Sequence, residues 1–523
     1  MTSYLNMQSG LLRGLKMTKS QLSLNLGLPD PDPLNKYVLS EFSADAVTDE
    51  TERINLENKY KKILKITSNQ SRRSVSFQLN KNRGVFGWFK YREGFSPDLV
   101  EAYLSDMSIN QGDLVMDPFM GSGTTALVAA KMGYDSIGFD MLPTSEIAIK
   151  AKGGLMDYDL YEIRNMTEWV KHLEVPSSYD GSVNYVKITY SAYPDKTDRE
   201  LAYLQSLISP NSTEFSDQAI NLLMLATLNS LEDLSYTRKD GQYLRWDERS
   251  KKVQEADAQR ASKGKNPIKN RLNKGDLPDA FQKISEELSI IVADIESAQA
   301  VPSEVISSST HFVNNTVLEE LPKVKADSVS AVVTSPPYLN RYDYTRTYAL
   351  ELAFLGYSEA DFRRVRQQLL SSTVENKSKR DKLKDYYAQN DMLDKFEYII
   401  NKLDNDPVLQ EINKAMAIRS EIGDLNNKGV VQMVQGYFEE LGFVIAELYR
   451  SLKSGAKVVI VNDNVRYGGE VIPVDFISMH LAEVFGFVPD VVQTIEQQKG
   501  NSSQQMKKFG RVPLRKSITV WHK

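Results

Sequence analysis

The sequence predicts an α/β fold, an open and largely parallel sheet wrapped by helices and interrupted by helical insertions. Three observations support this. Residues 114–140, LVMDPFMGSGTTALVAAKMGYDSIGFD, read as strand, glycine turn, helix, strand and acid, which is one βαβ half. Residues 328–333 form a second buried strand, which runs into Ser335-Pro336-Pro337-Tyr338. A third apolar run, KVVIV at 457–461, follows a helix with Phe438, Leu441, Ile445, Leu448 and Leu452 on one face, and precedes the helical stretch VIPVDFISMHLAEVFGF.

Taken in order, residues 1–75 are mixed and polar and are expected to be an N-terminal extension. Ser96 and Pro97 suit the N-cap and first turn of a helix. Residues 76–145 form the first half of the sheet unit, and Gly133 stops the helix that begins at Thr124. Residues 146–305 interrupt the pattern and read as largely helical. The sheet resumes over 306–357, a second helical insertion covers 358–430, and 431–523 completes the sheet with two final strands joined by a polar loop.

Composition narrows the chemistry. The chain has 523 residues, 41% of them hydrophobic and 25% charged, ordinary globular proportions. There is no long apolar span and no signal peptide, so a cytoplasmic protein is expected. The absence of cysteine excludes disulfides, iron–sulfur clusters, cysteine zinc sites and a cysteine nucleophile. The four histidines have no metal-ligand spacing, and no metal is expected. The net charge of −5 argues against a uniformly basic coat, but a local basic face suffices for nucleic acid.

Gly121 and Gly123 allow a ligand to approach backbone N–H groups at a helix N-terminus, and Asp140 at the next strand end can accept from two ribose hydroxyls. That spacing also fits a dinucleotide fingerprint or a plain βα turn. A P-loop is not expected, because no lysine follows the glycines. Asp117, at the tip of the first strand, adds a carboxylate for a cationic amino group. A nicotinamide cofactor has no such group; S-adenosylmethionine has one.

Pro336 and Pro337 fix the backbone and remove two N–H donors. The corner therefore presents acceptors, Ser335 Oγ and the Pro336 carbonyl, beside the Tyr338 ring. Such acceptors can pull an aromatic amino group toward sp³ geometry while the ring stacks on it. No acid–base residue of shifted pKa is expected; positioning and electrostatics supply the rate.

DPFMGSGTT together with TSPPY closely resembles the S-adenosylmethionine-dependent DNA amino-methyltransferases, which act on cytosine N4 or adenine N6. EGFSPDLV, GFDMLP, HFVNNTVLEELPKVKADSVSAVVTSPPY and LYRSLKSGAKVVIVNDN resemble further segments of that family. The resemblance implies a Rossmann-like methyltransferase with a mostly parallel seven-stranded sheet whose last strand is antiparallel. It implies that Phe95 and Ser96 line the methionine end and that Asp117 faces the methionine amino group. Phe119, Gly121, Gly123, Thr124 and Thr334 would border the cofactor, Asp140 would hold its ribose, and Asn315 its adenine, where Asn314-Asn315 replaces the family's usual Gly-Asp. Ser335, Pro336, Pro337 and Tyr338 would form the pocket for a flipped base.

Double-stranded DNA is the expected partner. Residues 236–275 hold twelve Lys/Arg against five Asp/Glu, a balance of 12 − 5 = +7. Arg238, Lys239, Tyr243, Arg245 and Trp246 are the preferred DNA contacts, residues 358–430 compete for that role, and Lys507, Lys508 and Arg511 form a third candidate. Serine before Pro-Pro-Tyr points to cytosine N4 rather than adenine N6. The alternatives are RNA or a protein amide as substrate, a nicotinamide oxidoreductase, or a non-catalytic DNA-binding subunit. A cognate restriction endonuclease or a defence-system subunit is a candidate further partner.

Overall fold

The computed structural model describes residues 33–208, 214–267, 271–300, 308–496, 508–510 and 512–523. The described strands are β1 (Leu64–Ile66), β2 (Leu114–Asp117), β3 (Asp135–Phe139), β4 (Thr237–Asp240), β5 (Tyr243–Trp246), β6 (Thr310–Val313), β7 (Val329–Thr334), β8 (Leu452–Asp463), β9 (Val465–Tyr467), β10 (Glu470–Ile472), β11 (Val488–Thr494) and β12 (Lys516–His522). Among these residues the main sheet has eight strands in the order β1-β11-β12-β8-β7-β2-β3-β6. β12 is antiparallel to both its neighbours, and the other pairs are parallel. The α/β architecture and its antiparallel closing strand agree with expectation; eight strands replace the expected seven.

The extra strand is β1, which forms the edge of the sheet by pairing with β11 through Leu64 and Val492. It lies within the expected extension. A three-residue strand in polar surroundings carries no periodicity to read. The preceding helix, Thr51–Tyr60, buries Leu56 and Tyr60 in the same core as Phe476 of the helix Val474–Val484.

Alternation along the central strands produces the two layers. Val115, Ala331, Val333, Val459 and Val461 face one core with helices Pro97–Ser105 and Thr124–Lys131. Met116, Val332, Val458 and Ile460 face the other, with the long helix Gly429–Ser451. Every residue of β7 is buried, as expected for a strand covered on both faces.

The region 146–305 is built on helices Leu160–Lys171, Asp217–Leu234 and Ala280–Gln299, which share a core with Tyr344, Tyr348 and Phe354. It also holds the β4–β5 hairpin, which turns at Gly241 with φ of 57°. Residues 358–430 contribute helices Glu359–Gln368, Arg380–Gln389, Leu393–Asp404 and Pro407–Glu421. Among the described residues no helix is long and apolar enough to cross a membrane.

Candidate active site

Chain order reverses between β2 and β7. From β2 the chain moves one way to β3 and β6; from β7 it moves the other way to β8. The crevice beyond the carboxyl ends of such strands is where open α/β sheets bind ligands. Here it holds a cavity of about 300 Å³. Phe95, Phe119, Gly121, Thr124, Asp140 and Asn315 line it, and so do Ser335, Pro336, Pro337 and Tyr338. The glycine turn and the proline corner, far apart in sequence, share one hollow.

On the glycine-turn side of the cavity, Asp140 is the fastening residue. Its Oδ2 accepts from the Gly121 N–H at 3.0 Å and its Oδ1 from the Leu142 N–H at 2.8 Å. Burial pushes its carboxyl up to about 6, against the pull of those N–H groups. Asn314 Nδ2 reaches the carbonyls of Asp140 and Leu142 at 3.1 and 3.2 Å, tying the end of β6 to the end of β3. Asn315 lies on the wall and donates to Glu320 Oε1 at 2.5 Å.

Four of the expected cofactor residues, Ser96, Asp117, Gly123 and Thr334, are off the cavity wall. Asp117 is buried behind Pro118. Its Oδ1 accepts from Thr334 Oγ1 at 2.6 Å and from the Phe119 N–H at 3.0 Å. Burial raises its carboxyl to about 6. Ser96 begins its helix in an extended conformation but makes no side-chain cap, and its N–H donates to the Ser74 carbonyl at 2.8 Å. The glycines answer first to the protein itself. A Cβ on Gly121, at φ 53°, would sit 2.6 Å from the Tyr91 ring, and one on Gly123 2.8 Å from Ile149.

On the other side, Ser335 Oγ lies 3.2 Å from Tyr338 Oη and 3.3 Å from the Val461 carbonyl. Lys516 Nζ donates to Tyr338 Oη at 3.2 Å and lies 4.7 Å from its ring centroid. The remaining wall includes Tyr91, Glu93, Tyr342, Tyr344 and Asp463, none of them singled out from sequence. Tyr91 stacks on Tyr348 with centroids 5.6 Å apart, and Tyr348 donates to Glu93 Oε2 at 2.6 Å. The signals were available: Asp463 is a strand-end acid like Asp117 and Asp140, and tyrosines crowd the segment after the corner.

The basic hairpin divides its side chains between two faces. Arg238 and Arg245 stand directly opposite each other on the exposed face, with Tyr243, which is 58% exposed. Lys239 is buried. It forms an ion pair with Glu351 and lies 4.9 Å from the Tyr348 ring centroid, so it departs from the expected surface role. Trp246 points the same way as Lys239 and carries Lys252 Nζ 4.3 Å from its centroid. The hairpin touches the cavity loops: Gln242 Oε1 accepts from the Asp343 N–H at 3.0 Å, and Arg92 donates to the Lys239 carbonyl at 3.1 Å. Lys508 pairs with Asp424 at 2.6 Å, and Lys507 and Arg511 lie outside the described residues.

Comparison with known proteins agrees with this geometry. A family model described as DNA methylase, covering N6 and N4 enzymes, matches residues 32–150. The type II methyltransferase M.BsoBI of Geobacillus stearothermophilus is 44% identical over 511 residues, 97% of this chain and 98% of that protein. The type II methyltransferase M.AvaI of Nostoc sp. is 35% identical over 492 residues, 92% and 95% of the two chains. M.MjaII of Methanocaldococcus jannaschii is 32% identical over 123 residues, 21% of this chain and 23% of that protein. With similarity running almost end to end and both motifs opening on one cavity, the chain belongs to the N4/N6 family of DNA amino-methyltransferases.

Proposed function

We propose that the protein methylates the exocyclic amino group of a base flipped out of duplex DNA, with S-adenosylmethionine as donor and cytosine N4 as target. The observation that supports it most directly is the shared cavity, with Asp140 on one wall and Ser335 on the other.

The residues fit the donor. Each Asp140 oxygen accepts one backbone N–H and keeps a second lone pair for a ribose hydroxyl. Asn315 and Phe139 border the space on that side, and Phe95 with Glu93 borders the other. Asp117 adds negative charge from behind the wall. When bound, the donor supplies a methyl group on a positively charged sulfur. The chain supplies orientation. Tyr338 offers a stacking face whose hydroxyl is pinned by Lys516, and Ser335 Oγ with the Pro336 carbonyl offers two acceptors to the amino hydrogens.

Flipping a base costs a few kcal/mol, offset by stacking and phosphate contacts. Arg238 and Arg245 are opposed like charges on an exposed face, an arrangement that favours an anion between them. The relatives' names, type II methyltransferases, support site-specific methylation. The test is labelled methyl transfer to unmethylated duplex DNA, followed by nucleoside mass spectrometry. N4-methylcytosine is expected, and N6-methyladenine would overturn the target base. Ser335→Ala should lose transfer and keep donor binding; unchanged transfer would contradict the role of the corner.

A further inference from the structure

Asp463 ends β8 on the cavity wall, beside Ser335 and Tyr338. Its cross-strand partner on β12 is Lys516, whose Nζ lies 3.5 Å from Asp463 Oδ1 and 3.2 Å from Tyr338 Oη. At that length the ion pair is no close hydrogen bond, and among the described residues Asp463 Oδ1 accepts none. A buried acceptor without a close donor is costly, and such groups cluster where chemistry needs them.

Resting on the methyltransferase reading, we propose that Asp463 is the proton acceptor for the target amino group, and that Lys516 is the positioning residue that holds both the Asp463 carboxylate and the Tyr338 hydroxyl. The need for an acceptor follows from electron counting. As the amino lone pair forms the new N–C bond, the C–S bond breaks and its electrons stay on sulfur, which becomes a neutral thioether. As the N–C bond forms, the nitrogen gains positive charge and gives up one proton in the same transition state, so the acceptor bears on the rate of transfer. That proton passes to the Asp463 carboxylate, and the N–H bonding pair returns to nitrogen as a neutral methylamino group. Asp463 is then a neutral acid, and releases its proton to water when the product leaves.

The charged and titratable groups facing Asp463 are Lys516 from β12, Tyr338 from the corner and Arg72 from the segment before β2. Burial raises its carboxyl, while Lys516 and then Arg72 pull it down; burial prevails. Burial likewise opposes the Lys516 ammonium, but Asp463 and Tyr338 outweigh it and its pKa is raised. A carboxylate whose pKa is raised is a better base than an exposed one.

The experiment is single-turnover methyl transfer to unmethylated duplex DNA against pH, with donor affinity by calorimetry and, in the free protein, the Asp463 carboxyl titration by infrared difference against Asp463→Asn. The wild-type rate should fall as pH drops through that titration. Asp463→Asn should lose that acidic limb and about 10²-fold in rate, with donor affinity unchanged. Lys516→Met should move both the acidic limb and the infrared titration to higher pH, because a neighbouring cation is gone. An Asp463→Asn protein within about threefold of wild type with its limb intact overturns the assignment, and so does a Lys516→Met protein in which neither readout moves. Should Asp463→Asn fail to bind donor, the Lys516→Met comparison decides alone. A wild-type chain that transfers no methyl group overturns the methyltransferase reading itself, whereas a fully active Asp463→Asn overturns only the proton acceptor.

Discussion

Thr334 donates a 2.6 Å hydrogen bond to Asp117 between the last residues of β7 and β2. One bond thus joins the strand that ends in the glycine turn to the strand that ends in the proline corner. Both residues are buried, so neither the bond nor the carboxylate is exchanged for water.

Replacing Thr334 with valine keeps the shape and removes the donor. Asp117 would retain the Phe119 N–H and lose its shortest hydrogen bond. A stability loss of about 1.5–3 kcal/mol is expected in urea unfolding, the range for a hydrogen bond to a charged group. Donor affinity should fall as well, because the turn that begins at Pro118 hangs from Asp117.

Donor binding should depend on pH through Asp140. Burial holds its carboxyl up at about 6 in the folded chain, above the usual carboxylate range. Above that pH it is an anion with lone pairs for ribose hydroxyls; below it, one oxygen becomes a donor. Affinity measured by calorimetry should rise from pH 5 to 7 and then level, and Asp140→Asn should bind weakly without that rise. Stability runs the other way. A raised carboxyl pKa means the folded state holds the proton more tightly, so the Asp117 and Asp140 contribution falls as pH climbs from about 4 to about 6.

Gly121→Ala and Gly112→Ala separate crowding from backbone strain. Both glycines have positive φ, 53° and 76°, but a Cβ at Gly121 meets Tyr91 at 2.6 Å while nothing lies within 4 Å of one at Gly112. Gly112→Ala should cost about 1–2 kcal/mol. Gly121→Ala should cost more by about 1–3 kcal/mol, the usual toll of overpacking, and should weaken donor binding. Thermal melts with and without donor measure both.

Arg238→Ala with Arg245→Ala should weaken DNA binding and reduce the slope of log K against log salt by about 1.8, at about 0.9 for each phosphate no longer neutralised. Donor affinity should not change. Lys239→Met should leave the salt slope alone and lower the melting temperature, since its partner Glu351 would be left buried and unpaired.

The motif-bearing strands were legible because chemistry marks their ends: β2 stops at an acid and a glycine turn, β7 at a proline pair, and both are apolar runs. What spacing does not reveal is where a strand-end side chain points. Asp117 stands at the expected tip, yet its carboxylate turns toward Thr334 and away from the cavity. The β4–β5 hairpin was hidden by composition. Its residues are mostly charged or polar, its flanks are helical, and only Asp240-Gly241 signals the turn. The alternation that buries Thr237 and Lys239 while exposing Arg238 and Asp240 is a two-fold rhythm that a charge count blurs. Asp463 and Lys516 become neighbours only through β8–β12 pairing, which no local window contains.

The bonds of Gln242 with Asp343 and of Lys239 with Glu351 make the hairpin and the segment after the corner one mechanical part. An engineer grafting another enzyme's hairpin onto this scaffold would have to transplant residues 340–351 alongside it. Otherwise Glu351 would be left buried without its counter-ion, and the graft would loosen the loop that borders the cavity.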